Sequence, residues 1–334
     1  MHTYIIAEAG VNHNGQLELA LRLCDAAKDA GVDCVKFQTW KTENICTASA
    51  KMADYQKENV QSETESQFEM LKRLELSYEH FEYIKQYCEK IGIDFLSTPD
   101  EEESLDFLMG GLHLPTIKIG SGEVTNIPYL RKIASYKKPI ILSTGMSTLA
   151  QVAIAYDTLI EAGAPSVSLL HCTTNYPCPV DEVNLRAMLT LKDSFKCKVG
   201  YSDHTMGIEV PIAAVAMGAE IIEKHFTLDR NMDGPDHKAS LEPNELKKMV
   251  ESIRNIEMAL GDGVKRPNKS EIECAKVVQK SILAKRPIKM GEVLTEENLT
   301  VKRAGSGISS KHWDLVLGCF AIKDYNIDEP IQLY

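Results

Sequence analysis

His204 and His225 each follow a short apolar run, so they stand at the ends of what read as consecutive strands. Two imidazoles on neighbouring strands can hold one divalent ion. With no third obvious ligand, such a site is open, completed by water and substrate, which is the catalytic arrangement. No thiolate pattern accompanies them, so Mn²⁺ fits better than a structural zinc, with Mg²⁺ or Co²⁺ as alternatives. The competing reading leaves one of the two as a hydrogen-bonded core histidine. Lys36 and Lys118 lie on the second and fourth predicted strands, near the hydroxyls of Thr98, Ser121, Ser143 and Ser202 and the turn Gly120-Ser121-Gly122. Two ammonium groups, hydroxyls and backbone N–H groups suit a phosphate and a carboxylate on one small ligand. The turn lacks the third glycine of a dinucleotide fingerprint. A Schiff-base lysine is the rival use of Lys36 or Lys118. Glu8 closes the first strand, as an active-site carboxyl or as the partner of a barrel lysine. Gln38 shares a strand with Lys36, Tyr176 follows the sixth strand, and Asp236 sits in Gly234-Pro235-Asp236-His237, a polyol contact or a simple turn.

These residues need a frame that brings strand ends together. Short apolar runs alternate with helical patterns along the chain: Tyr4–Glu8, Cys34–Gln38, Asp94–Ser97, Thr116–Ile119, Pro139–Leu142, Val167–Leu170, Lys198–Gly200 and Ala219–Glu223 are the strands. Helices are expected between them, among them 16–30, 78–91, 101–109, 148–162 and 184–194, with a last one over 245–260 capped by Asn244. Eight βα units with continuous apolar strands predict an α/β fold, a (β/α)₈ TIM barrel whose C-terminal strand ends carry the site. The polar stretch 41–67 breaks the rhythm and reads as a lid or insertion. The expected division is a barrel over 1–262, a linker over 263–280, and a small, mainly β module over 281–334, whose Gly and Pro punctuation differs from the barrel's.

The 334 residues carry 37 basic and 48 acidic side chains, a net charge of −11. That balance argues against a nucleic-acid backbone or an anionic membrane as partner. The module holds seven charges of each sign, so the whole excess lies in the barrel and linker, where the pocket is nevertheless expected to be locally basic. The first ten residues lack the features of a secretory signal, and no apolar run approaches membrane-spanning length. Nine scattered cysteines without a C-x-x-C indicate reduced thiols and a cytoplasmic protein.

Seven blocks resemble, in order, the bacterial sialic acid synthases, the group of N-acetylneuraminate, legionaminate and pseudaminate synthases. They are 6–15 (IAEAGVNHNG), 35–39 (VKFQT), 97–99 (STP), 118–123 (KIGSGE), 142–146 (LSTGM), 200–204 (GYSDH) and 223–227 (EKHFT). The tail from Gly291-Glu292 to Val301-Lys302-Arg303 resembles that family's C-terminal antifreeze-like (SAF) domain. The resemblance implies a metal-dependent condensation of phosphoenolpyruvate with an N-acetylated hexosamine, giving a nine-carbon α-keto acid and phosphate. It implies metal ligation by His204 and His225, and a phosphoenolpyruvate site of Lys36, Thr98, Lys118, Ser121, Ser143 and Ser202. It makes Glu8, Lys36 and Lys118 the catalytic groups and places Gln38, Tyr176 and Asp236 along the sugar. It further implies a domain-swapped homodimer in which Arg303 reaches the partner's active site.

Three departures fall on the sugar side. Asp100 stands where many members have Phe, the residues before Tyr176 (Thr174-Asn175) differ from some members, and Ser62 falls where one subgroup has Asn. The acceptor is therefore open among N-acetylmannosamine, 2,4-diacetamido-2,4,6-trideoxymannose and the altrose counterpart of the pseudaminate branch, with a lean to the first two. A sugar-phosphate acceptor would need a second phosphate site, a Schiff-base aldolase of sialic acids would need a free lysine, and a non-enzymatic binding protein would release no phosphate.

Overall fold

The computed structural model describes residues 2–52, 56, 57, 59 and 66–334. The chain forms two compact units, Met1–Gly261 and Asp262–Tyr334. In the first, eight parallel strands run β1 (Tyr4–Gly10), β2 (Cys34–Thr39), β3 (Asp94–Pro99), β4 (Ile117–Ile119), β5 (Ile140–Ser143), β6 (Val167–His171), β7 (Val199–Asp203) and β8 (Ile221–His225). They are laced in the order β3-β2-β1-β8-β7-β6-β5-β4, and β3 and β4 lie against each other at the seam without a ladder between them. Helices cover the outside, as expected for buried parallel strands.

Strand alternation builds two interior layers. Ile6, Cys34, Leu96, Ile141, Leu170 and Ile221 form an apolar cluster within the strands. Two residues further along each strand, on the same face by the period of two, stand Glu8, Lys36, Thr98, Ser143, Cys172 and Glu223, all lining one cavity. The intervening residues, such as Ile5, Ala7, Val35, Leu142, Leu169 and Ile222, belong to the larger core under the helices. Asp203 and Lys224 also alternate outward and are completely buried as a 2.5 Å ion pair.

Local chemistry explains several boundaries. Helix Leu17–Ala30 ends at Gly31, whose φ of 80° is left-handed and costs glycine nothing. Helix Pro243–Leu260 is capped by Glu242 rather than by the expected Asn244. Its N–H donates to Glu245 at 2.9 Å, and Pro243 occupies the first turn, where a missing N–H is harmless. The helix expected over 101–109 divides into Glu102–Asp106 and a π-helical turn, Phe107–Gly111. That expected over 184–194 runs Arg186–Phe195, and β7 extends past Gly200 to Asp203.

The described part of 41–67 carries a short helix, Thr42–Ile45, and leads into helix Gln67–Leu74, opened by a Ser66–Glu69 capping box. Val11, Trp40, Met52, Met70 and Leu74 make a small apolar cluster of their own here. Glu75 ties the excursion down by accepting from the Thr42 N–H at 3.0 Å and hydroxyl at 2.8 Å. Gly15 is required beneath it: a Cβ there would lie 2.4 Å from the Arg73 carbonyl oxygen. Ser62 lies outside the described residues.

In the second unit, helix Lys269–Val278 occupies most of the stretch read as linker. β9 (Lys280–Ala284) and β10 (Leu299–Arg303) pair antiparallel over a core of Ile282, Ala284, Ile288, Leu294, Leu299, Val316, Ala321, Tyr325 and Ile331. Among the described residues, no helix is long and apolar enough to cross a membrane.

Candidate active site

The C-terminal strand ends converge on a cavity of about 280 Å³. Register puts its charges side by side. Glu8 pairs across the sheet with Lys36 on β2 and with His225 on β8, and Ser202 on β7 pairs with Glu223 on β8. Lys36 Nζ lies 2.5 Å from Glu8, 3.8 Å from Glu223 and 3.0 Å from the Thr98 hydroxyl. Lys118 Nζ lies 3.3 Å from Glu223 and 2.8 Å from Ser143 Oγ, and Ser202 Oγ donates to Glu223 at 2.9 Å. Two buried lysines thus face two buried carboxylates, an arrangement that compensates the cost of removing each charge from water.

The two carboxyls are not equivalent. Burial pushes Glu8 up to about 8, helped by neighbouring Glu223 and opposed by Lys36. Burial acts on Glu223 as well, but Lys118 and Lys36 together bring it down to about 2. Glu223 is therefore held as the counter-ion of the two lysines, whereas burial favours the protonated form of Glu8. Burial lowers Lys118, with Lys36 adding repulsion, whereas Glu223 and Glu8 outweigh burial at Lys36 and raise it.

Beside this cluster, at the ends of β7 and β8, the rings of His204 and His225 are 5.4 Å apart, and Tyr176 lies 4.1 Å from the first and 5.4 Å from the second. Burial holds both imidazoles below their ordinary range, in the neutral form that ligates metals. His204 Nδ1 is 2.6 Å from the Thr173 carbonyl, which fixes the proton there and leaves Nε2 an acceptor. His225 Nδ1 is buried without a hydrogen bond, 3.7 Å from Asp236 Oδ2. A Cβ on Gly10, whose φ is 50°, would sit 3.2 Å from Glu8 Oε1 and 3.5 Å from both Asp236 Oδ2 and His225 Cε1. The space that Gly10 leaves open is where these groups converge. Two neutral imidazoles, one of them oriented by a carbonyl, with a carboxylate oxygen close by fit an open divalent site. Among the described residues, no cluster of three or more His, Cys, Asp or Glu side chains is preassembled for an ion.

Ser121 Oγ accepts from the Gly145 N–H at 2.9 Å. Gly145 must lack a side chain, since a Cβ would lie 2.3 Å from Thr174 Oγ1 and 2.9 Å from Ser121 Oγ. Lys36, Thr98, Lys118, Ser121, Ser143 and Ser202 all line the cavity, as do Glu8, Gln38, Tyr176, Asp236, His204 and His225. Arg303 is an exposed residue at the end of β10, in the second unit.

Two features depart from the sequence reading. The residue at the centre of the ionic layer, Glu223, has no place among the predicted site residues. The alternation that turns His225 inward turns Glu223 inward too, so the signal was available. The pocket is also not basic by its own side chains: the described lining carries Glu8, Asp100, Glu123, Glu223 and Asp236 against Lys36 and Lys118. The expected basic character included a metal ion and Arg303 besides the two lysines, and the barrel's own side chains do not supply it alone.

Known proteins resemble this chain over most of its length. The NeuB family profile matches residues 23–265, and that of the SAF domain matches residues 279–333. The chain is 52% identical to the N,N'-diacetyllegionaminic acid synthase of Campylobacter jejuni, covering 99% of both chains. It is 47% identical to the Legionella pneumophila protein of the same name, over 95% of this chain and 90% of that one. Among solved structures, the N-acetylneuraminic acid synthetase of Leptospira borgpetersenii, determined with citrate, superposes with a TM-score of 0.72 at 36% identity, over 83% of this chain and 91% of that one.

Proposed function

The chain belongs to the NeuB family, and from that premise we propose that it is a transferase joining phosphoenolpyruvate to an open-chain acylated hexosamine, giving a nine-carbon α-keto acid and phosphate. The observation that carries this reading is the pair Lys36 and Lys118, held 2–3% exposed among hydroxyls in the cavity that two neutral imidazoles also line. Names of the relatives favour 2,4-diacetamido-2,4,6-trideoxymannose as acceptor and a legionaminate-type product. An unphosphorylated acceptor is further supported by the acidic remainder of the described lining, which offers no second set of cations.

His204 and His225 would hold the divalent ion, preferably Mn²⁺, which when bound supplies Lewis acidity toward the aldehyde. The chain's own groups do the rest. Lys36, Lys118 and the hydroxyls of Thr98, Ser121, Ser143 and Ser202 fix the anion and stabilise the charge that develops as phosphate departs. Glu8 faces the carbon that becomes cationic and handles the proton of the added water. Gln38, Tyr176 and Asp236 orient the sugar, and orientation alone is worth several kcal/mol of barrier, of order 7–11 in favourable cases. Arg303 completes the site in a partner subunit of a domain-swapped homodimer. We place the enzyme in the cytoplasm, consistent with nine unpaired cysteines.

The test is phosphate release across a panel of N-acetylmannosamine and the two diacetamido sugars. Activity with one of them, lost on chelation and restored by Mn²⁺, is the expected result. A substrate adduct trapped by borohydride, with no effect of EDTA, would instead establish the Schiff-base aldolase. In the same assay, mixing Arg303→Ala with His225→Ala subunits should restore activity; no recovery after verified subunit exchange removes the swap.

A further inference from the structure

Asp100, the residue after β3, lines the cavity two residues beyond Thr98, with its N–H bound to the Thr39 carbonyl at 3.1 Å. The other acids of the described lining are engaged: Glu8 and Glu223 with the lysines, Asp236 near His225, and Glu123 with Asn126 at 2.7 Å. No hydrogen bond or ion pair within 4 Å occupies the Asp100 carboxyl among the described residues. A carboxyl without a partner, facing a cavity built for ligands, is a vacant acceptor.

Its position says which ligand. Asp100 follows β3, four strands from β7 in either direction round the barrel. The proposed anion lies in the layer of Lys36 and Thr98, two residues below Asp100, so a ligand group that reaches Asp100 belongs to the second substrate stacked above it. Phosphoenolpyruvate is the wrong partner, because a carboxylate repels a second anion, whereas the neutral sugar carries hydroxyl and amide N–H donors. We propose that Asp100 is a specificity-determining residue that accepts a hydrogen bond from an N–H or O–H of the acceptor sugar. The inference rests on the proposed condensation. It also gives physical content to the departure noted above, since the phenyl ring that many members place here cannot accept such a bond, and a site built to bind a polar group discriminates strongly against partners lacking it.

The experiment measures KM for each substrate separately, by phosphate release, in wild type, Asp100→Leu and Asp100→Asn with Mn²⁺ present. The acceptor KM should rise roughly 10- to 100-fold in the leucine variant, the scale of a lost hydrogen bond to a charged group, with the phosphoenolpyruvate KM unchanged within about twofold. Should leucine disturb folding, the near-isosteric asparagine supplies the comparison, with a rise of about three- to tenfold from the lost charge. An acceptor KM that stays put in the folded variants, or a phosphoenolpyruvate KM that rises in its place, overturns the assignment. A wild-type enzyme that turns over no sugar fails differently, removing the condensation itself.

Discussion

The barrel interior has two layers one pleat apart, and they obey opposite rules. Ile6, Cys34, Leu96, Ile141, Leu170 and Ile221 form an apolar plug. Glu8, Lys36, Thr98, Ser143, Cys172 and Glu223, each two residues along the same strand, form a floor of charges and hydroxyls. The step is about 7 Å along each strand. Burial stabilises the first layer and burdens the second, where every charge must be matched by another. A layer that the fold does not need, and that costs desolvation to keep, is retained for what it binds.

Lys118→Met should break this comparison most visibly. Activity is expected to fall by a factor on the order of 10³. Thermal stability should change little, because Glu8, which burial already pushes up to about 8, takes up a proton once the second cation is gone and Lys36 still faces Glu223 at 3.8 Å. A collapse in melting temperature would show that the ionic layer holds the barrel together. One pleat away, Ile221→Ala should do the reverse, costing about 2–5 kcal/mol in a chemical denaturation titration and leaving both KM values near wild type. The smallest effect concerns Asp100, which burial pushes up to about 7 against the pull of Lys36 and Lys118, with Glu123 and Glu101 adding to the rise. The folded chain then keeps a proton that the unfolded chain releases near pH 4, so this group's contribution to stability declines as pH rises from about 4 to 7. Asp100→Asn should flatten that part of the melting-temperature profile, and an unchanged slope would mean that the carboxyl ionises normally in the folded state.

Much of this was legible because the barrel turns a simple code into geometry. Once eight strands are recognised, their ends must meet, and Lys36, Thr98, Lys118, Ser143, Ser202, His204 and His225 come together by topology alone. Glu223 was equally legible by alternation, but a residue inside a strand draws less attention than one at its end. Pro243 marked the start of its helix and so pointed to Glu242 as the cap. Other features lie beyond any local pattern. That Trp40, Met70 and Leu74 wall the cavity depends on how an irregular excursion folds back. That Asp100 lacks a partner depends on where side chains from other elements come to lie. Arg303 belongs to a separate unit, and its meaning comes from resemblance, not from the barrel.

The seam has a mechanical side. Every neighbouring pair of strands is laced by backbone hydrogen bonds except β3 and β4. Lys36 and Thr98 stand on one bank of that joint, and Lys118 and Ser143 on the other. An anion gripped from both banks is a rivet through the one place where the hoop is only pressed shut, so the occupied barrel is a more completely fastened object than the empty one.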